Sequence, residues 1–362
     1  MTSPLPTSPE SWDDAGFRAA VSATLDAFVD TQAAGLEALG EDAARLVDAA
    51  RTAVSGGKRL RAAFCYWGFR AVREEGYDEP ALLRAAAALE LLHASALVHD
   101  DLMDASDVRR GRPATHRAFE KHHRDQGWGG DPEQYGAAAA ILLGDLLLSW
   151  SDELLRTSGL DHERVRAALG YFDTTRSEVV AGQFLDVSVQ ARGDADVDAA
   201  MRVLRYKSAK YSIERPLHVG AALAGGEPRV LEALTGFGLP LGEAFQLRDD
   251  LLGVFGDPSA TGKPAGDDLS EGKRTVLVAL TLDGAPADEA RYLDEHLGTP
   301  LDEEQVTTLR RIIEGSGAHA RVERLIEDLT DRSLRALDAA PVTARAREVL
   351  RGLATAATQR TV

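Results

Sequence analysis

The chain has one cysteine, Cys65, in 362 residues, which excludes an intrachain disulfide and a cysteine-rich zinc site. Cys65 sits in the apolar run AAFCYWGF, as a small core residue would. Basic residues are scarce: Lys plus Arg number 41 against 58 Asp plus Glu, and the net charge of −17 repels nucleic acid and anionic lipid. Any anionic substrate must therefore be held by local basic clusters or bound metal. Long hydrophobic runs are missing too. AAAAILLG before Asp145 and ALELLHASALV before His99 fall short of the roughly 20 clean apolar residues of a membrane span, and the second carries Glu90 and His93. Stable membrane insertion is not expected. The opening MTSPLPTSPESWDD has neither the basic nor the apolar segment of a signal peptide, so a reducing, cytoplasmic setting is expected. Alternating β-branched runs bounded by hairpin turns are essentially absent, as is any fixed repeat of about 20–50 residues.

What remains is helix. Hydrophobic residues make up 44% and charged residues 27%, with mean hydropathy −0.20, which is the balance of a globular chain long enough to bury a core. Apolar residues recur at three- and four-residue spacing over 17–39, 58–74, 79–105, 133–157, 159–190, 198–224 and 228–255. The same pattern continues over 272–283, 303–314, 317–338 and 342–356, in segments rich in Ala, Leu, Arg and Glu. The fold class is all-α. Residues 1–12, rich in Pro, Ser and Thr, are expected to fray, and 13–362 to form one domain. Segments 121–135 and 256–272 are the long irregular loops, and loops of that size in a helical domain usually carry function.

Two acidic clusters stand out. In LVHDDLMDASDVRRGRP, Asp100, Asp101 and Asp104 occupy i, i+1 and i+4. Asp100 and Asp104 are then offset by about 40° and separated by about 6 Å on a helix, so their carboxylates converge. At that separation and an effective dielectric of about 20, each like-charge pair costs on the order of 3 kcal/mol, and something positive must neutralise it. Alone, such a pair reads equally well as a solvated patch near a helix end. In EAFQLRDDLLGVFGD, however, Gln246, Asp249 and Asp250 again share a face backed by apolar residues, as the second wall of a cavity would. Sparse oxygen-only ligands suit magnesium, which completes its shell with water and substrate phosphates. Basic groups follow: Lys58 and Arg61 in GGKRLR, Arg109-Arg110, Lys207 and Lys210 in YKSAKY, and Lys263 and Lys273. Each pair by itself reads as a solvated face, but the guanidinium fork of Arg109-Arg110 suits diphosphate oxygens.

Taken in order, GGKRLR at 56–61, His93 seven residues before DDLMD, RRGRP, GQFLD at 182–186, KSA at 207–209, FQLRDD at 245–250 and DDLSEGKRT at 267–275 resemble the trans-isoprenyl diphosphate synthases, or polyprenyl synthetases, and most resemble bacterial geranylgeranyl diphosphate synthases. The resemblance implies an isoprenoid-synthase helical bundle around a central cavity, usually a homodimer. It also implies head-to-tail condensation of isopentenyl diphosphate with an allylic diphosphate, using magnesium at three ions per site. Carried over by position, Lys58, Arg61, His93 and Arg110 hold isopentenyl diphosphate, while Arg109, Lys207, Lys263 and Lys273 hold the allylic diphosphate. Asp100, Asp104 and Asp249 ligate metal with Asp101 and Asp250 in support, and Gln246 and Ser208 face the developing cation. The second motif departs from the family at Gly253, where an aspartate is usual; Asp257 is a candidate substitute. Ser208 stands where Thr is usual and keeps the hydroxyl.

Below the first aspartates, Ala96 lies about one turn under Asp100, Ser95 beside it and Leu92 about two turns down. Small upper residues leave room for a long prenyl tail and disfavour a stop at ten or fifteen carbons, so geranylgeranyl diphosphate is the expected product, with farnesyl and longer-chain products as alternatives. A class I terpene cyclase would carry an NSE-type second motif, and a non-catalytic subunit of a heteromeric synthase would lose an aspartate cluster; neither pattern is present. His99, His116, His122 and His123 have no metal-ligand spacing, and surface or core roles are expected. Gln183 and Asp186 are placed equally well in a substrate pocket or in a buried bond between helices.

Overall fold

A computed structural model describes residues 14–193, 196–256 and 266–359. The expectation for residues 1–12, and the positions Asp257 and Lys263, lie outside them. The chain is almost wholly helical and divides into two compact units interleaved in sequence: the first takes residues up to Asp107, Pro113–Leu169 and Val219–Gly226, the second Val108–Arg112, Gly170–His218 and Glu227 onward.

The first unit is built on α1 (Asp14–Leu36), α2 (Glu41–Val54), α3 (Leu60–Arg70), α4 (Glu79–Met103), α5 (Thr115–Asp125) and α6 (Pro132–Arg156). The carboxylate of Asp78 caps α4 by accepting the Ala81 N–H at 3.1 Å, and Pro80 in the first turn has no N–H to satisfy. Helix α4 is central and packs against α1, α2, α3, α5 and α6. Its own Leu82 and Leu89 are fully buried, as are Phe17, Phe64, Leu143 and Leu147 on the helices packed against it. Its apolar stretch is longer than the run ALELLHASALV suggests, because the preceding alanines join the same helix. An 18-residue window reaches a mean hydropathy of 1.5, enough to cross a bilayer by length and composition, yet 72% of it is buried inside the protein. Gly220 of α9 (Arg215–Ala224) lies against the Cys65 carbonyl, and burial pushes the Cys65 thiol up and keeps it inert.

The second unit contains most of α7 (His162–Arg192), then α8 (Val197–Val203), a π-helical stretch Leu204–Glu214, α10 (Pro228–Phe255), α11 (Asp267–Ser270), α12 (Val276–Gly284), α13 (Ala287–His296), α14 (Glu303–Gly315), α15 (Ala318–Ala339) and α16 (Ala344–Thr358). Helix α10 is its axis, packed on α15, α16 and the π-helical stretch. Leu247, Leu251, Leu277, Leu309, Ile313, Val322 and Ile326 make up one core cluster around it. Asp302 and Gln305 close a reciprocal capping box at the start of α14.

The structure corrects the sequence reading in three places. Segment 121–135 is not one long loop, because α5 runs to Asp125 and α6 starts at Pro132. The buried face of α5 is His116, Phe119, Glu120 and His123, whose polar letters hide the periodicity. Helices α2 and α13 were likewise masked by charged residues on short segments. A two-stranded hairpin, Val108–Arg109 with Arg112–Pro113, interrupts the all-helical pattern. Its turn residues Arg110 and Gly111 both have positive φ, 52° and 72°, as the tightest hairpin turns require.

Candidate active site

In the first unit, the acidic cluster closes α4. Asp101 is buried, Asp100 and Asp104 half-buried. The helix ends in a Schellman arrangement: the Ser106 N–H reaches the Asp101 carbonyl at 2.9 Å, the Ala105 N–H reaches Leu102, and Ala105 takes the left-handed φ of 53° that glycine usually supplies there. Three carboxylates thus sit in the last turn, where the carbonyl ends of the helix are already negative. Leu92 and Ser95 are buried on the same helix, and His93 and Ala96 are half-buried. His99, between these positions, lies over Gly144 of α6 and pairs at long range with Asp145, 3.7 Å away.

The basic motif GGKRLR forms the entry to α3. Gly56, Gly57 and Arg59 all have positive φ, which turns the chain sharply before Leu60. Lys58 is exposed and Arg61 half-buried. Sequence reasoning gave Arg59 no role, yet it is the anchor of this turn. Its guanidinium is buried, donates to the Val54 carbonyl at 2.7 Å and lies 3.5 Å from the buried Glu90 of α4. Glu90 also accepts the Ala62 N–H at 3.0 Å, which ties the start of α3 to α4. The visible signal was a charged residue, Glu90, inside the long apolar helix α4.

In the second unit, Lys207 and Ser208 lie on the π-helical stretch, whose wider turns commonly mark functional sites. Two glycines set its position. A Cβ on Gly182 of α7 would stand 2.4 Å from the Lys207 nitrogen, and one on Gly242 of α10 would stand 2.4 Å from the Ala209 carbonyl oxygen. Lys207 donates to Asp186 at 2.6 Å, so the buried aspartate of GQFLD makes a bond between two helical elements. Lys210 is held by Glu178 at 2.7 Å, and Arg215 grips the same carboxylate with two nitrogens. Burial pushes the neighbouring His218 imidazole down to about 4, so it stays neutral beside Arg215. Arg109 ends the first strand of the hairpin and is half-buried, and Arg110 lies in its turn and is exposed.

The second acidic cluster lies on α10. Gln246 donates to Asp250 at 2.8 Å, and Arg248 makes two 2.7 Å bonds to Glu323 of α15, which fixes this turn of the helix. Burial pushes the Asp250 carboxyl up to about 8, the Gln246 bond opposes this, and the charges of Asp268 and Asp249 push it further. Lys273 pairs with Glu271 at 2.5 Å and with Asp268 at 3.2 Å. Among the described residues no three His, Cys, Asp or Glu side chains form a ready-made metal cage. The donors present still fit magnesium: they are carboxylate oxygens, half-buried at Asp100, Asp104 and Asp249 and buried at Asp101 and Asp250, and few enough to leave the remaining positions to water and phosphate. His116 and His123 belong elsewhere. They are buried near Glu120, and His123 packs among Trp128 and Tyr135.

These features coincide with a known pattern. Residues 43–314 match the polyprenyl synthetase family. The chain belongs to that family. It is similar to a geranylgeranyl pyrophosphate synthase from Corynebacterium glutamicum, whose structure was solved with isoprenyl diphosphate and magnesium, at 40% identity and a TM-score of 0.94 over 97% of this chain and all of that one. It is 34% identical over 264 residues to a short chain isoprenyl diphosphate synthase of Methanothermobacter thermautotrophicus, covering 73% of this chain and 74% of the other. It is 32% identical over 277 residues to a geranylfarnesyl diphosphate synthase of Natronomonas pharaonis, covering 76% and 74%. Other relatives of similar identity are named as geranylgeranyl or farnesyl diphosphate synthases. The chain is therefore a prenyltransferase of the trans-prenyl diphosphate synthases, whose substrates are isopentenyl and allylic diphosphates, and the names of its relatives span several product lengths.

Proposed function

We propose that this synthase makes geranylgeranyl diphosphate by adding isopentenyl diphosphate to allylic diphosphates of five, ten or fifteen carbons. The observation that carries the length assignment is the pair Ser95 and Ala96 on α4, small side chains about one turn before Asp100, which leave the upper part of the tail's path unplugged. Leu92, one turn further, is the first side chain bulky enough to stop the tail. Farnesyl and longer products are the alternatives. The test is to supply isopentenyl diphosphate, magnesium and each allylic starter, then size the products. A twenty-carbon product is expected, and the variant S95F/A96F should stop at fifteen carbons or fewer. An unchanged product distribution in that variant would remove Ser95 and Ala96 from the length assignment.

In this reading Asp100, Asp104 and Asp249 hold magnesium, three ions with substrate present, and Asp101 and Asp250 orient those ligands. Bound there, magnesium would neutralise the charge that builds on the departing pyrophosphate. The chain's own groups do the rest. Arg109, Lys207, Lys263 and Lys273 bind the allylic diphosphate, while Lys58, Arg61, His93 and Arg110 bind isopentenyl diphosphate. The hydroxyl of Ser208 and the amide of Gln246 turn their oxygens toward the allylic carbons as positive charge develops. The isopentenyl double bond then attacks, and a proton leaves to a pyrophosphate oxygen. Water, which would quench the cation, is excluded in this reading.

The synthase acts as a homodimer in this reading. Val180, Phe184 and Val187 line one face of α7 at 63%, 73% and 38% exposure, and Ile141 and Leu142 of α6 are 48% and 60% exposed. Exposed apolar rows of this kind are suited to a second copy of the chain. Light scattering should give twice the chain mass, and F184R should shift it toward the monomer.

A further inference from the structure

Three points on α7, one helical turn apart, hold the π-helical stretch Leu204–Glu214. The middle one is Gly182, where a Cβ would stand 2.4 Å from the Lys207 nitrogen and 2.5 Å from the Tyr206 carbonyl carbon. Four residues further along α7, Asp186 takes the Lys207 ammonium at 2.6 Å. Four residues the other way, Glu178 takes the Lys210 ammonium at 2.7 Å. Residues four apart lie about 6 Å from each other on one face of a helix, so 178, 182 and 186 form a single stripe. Lys207 and Lys210, three residues apart, thus reach to opposite ends of it.

The Glu178 end is the more heavily tied. Its Oε1 also accepts from Arg215 Nη2 at 2.8 Å and its Oε2 from Arg215 Nε at 2.7 Å. Arg215 follows the last residue of the π-helical stretch, and its Nη1 donates to His218 Nδ1 at 3.2 Å. A guanidinium can only donate, so the proton of the neutral imidazole sits on Nε2, which donates to Thr235 Oγ1 at 2.9 Å and toward the Leu231 carbonyl at 3.2 Å, both on α10. The chain of bonds runs from α7 through the end of the π-helical stretch into α10. Eleven residues is long for a conformation that usually occupies a single turn, so its surroundings must hold it against relaxation to an ordinary α-helix.

We propose that Glu178 is a positioning residue for prenyl transfer: by clamping Lys210 and Arg215 it holds the π-helical turns that aim Lys207 and Ser208 at the allylic diphosphate. The inference rests on the assignment of Lys207 to that substrate in the proposed function. Glu178 acts through Lys207 and Ser208, because a relaxed stretch changes the direction in which both side chains leave the backbone. Lys58, Arg61, His93 and Arg110, assigned to isopentenyl diphosphate, lie on other elements and are not held by this clamp.

The test is a double-mutant cycle read in steady-state kinetics, with KM measured for each substrate in the parent, E178Q, K207M and E178Q/K207M. E178Q should raise KM for the allylic diphosphate by about fivefold or more and leave KM for isopentenyl diphosphate unchanged. In the K207M background the same substitution should change the allylic KM by less than about twofold, because the group it positions is gone. K210M, which removes one of the clamped cations and keeps the Arg215 pair, should act in the same direction by a smaller factor. Circular dichroism and melting curves report folding, and if E178Q does not fold, K210M and K210M/K207M carry the cycle. The proposal is overturned if the allylic KM is unchanged in E178Q and K210M, if both substrates' KM values rise alike, or if the effect is as large in K207M as in the parent. An unchanged allylic KM in K207M itself would overturn the assignment of Lys207, and this inference with it.

Discussion

The two acidic clusters solve one electrostatic problem by different routes. Asp100, Asp101 and Asp104 come from a single helix end, where they face the negative end of the helix dipole and where the turn is closed by Ala105 in a glycine conformation. Asp249 and Asp250 lie inside α10, where Asp268 of α11 adds its charge. The first cluster adds the carbonyl end of its helix and a left-handed Ala105 to the burial of Asp101; at the second, burial shows in the raised affinity of Asp250 for its proton. In the proposed function, a bound cation relieves both.

The largest effect that can break this comparison is on turnover. D100A/D104A should lower the steady-state rate by at least about a thousandfold while the helical circular dichroism is kept. D249A should cost a similar factor, because both clusters serve the same leaving group in the proposed function. A variant of one cluster that retains near-parent turnover would separate their roles.

Stability should respond in the opposite sense at the second cluster. Burial pushes the folded Asp250 carboxyl up to about 8 from the ordinary 3.8, so between those values the folded protein holds a proton that the unfolded chain releases. Stability of the metal-free protein therefore falls as pH rises through that window. D250N should raise stability at pH 7 by on the order of 2–4 kcal/mol and flatten the dependence, as read by chemical denaturation across pH. A loss of stability, or an unchanged slope, would remove desolvation as the cost there.

Smaller effects sharpen the picture. G182A should destabilise by about 1–3 kcal/mol, because its methyl meets the Lys207 backbone at 2.4 Å, and it should raise KM for the allylic diphosphate. A105G should stabilise by about 1 kcal/mol by relieving the left-handed alanine, with little change in rate.

The comparison also shows why the sequence was legible in one place and silent in another. The i, i+1, i+4 acids of α4 and the i, i+3, i+4 set of α10 follow from helical geometry alone, and both lie on helices in the structure. The π-helical register around Lys207 has no local signature, although Gly182 in GQFLD was a hint of close backbone approach. Arg59 with Glu90, Lys207 with Asp186 and Lys210 with Glu178 join residues that are distant in sequence, and spacing carries no information about such pairs. Helix α5 was hidden because histidines and a glutamate make up its buried face.

The claim at the centre of the account is that carboxylate-held divalent ions drive departure of the diphosphate. It is tested most directly by measuring the prenyl-transfer rate while free magnesium is lowered with a chelator. The account predicts that product formation falls to background as the ion is removed and returns when magnesium is restored; full turnover in the chelated enzyme would contradict it.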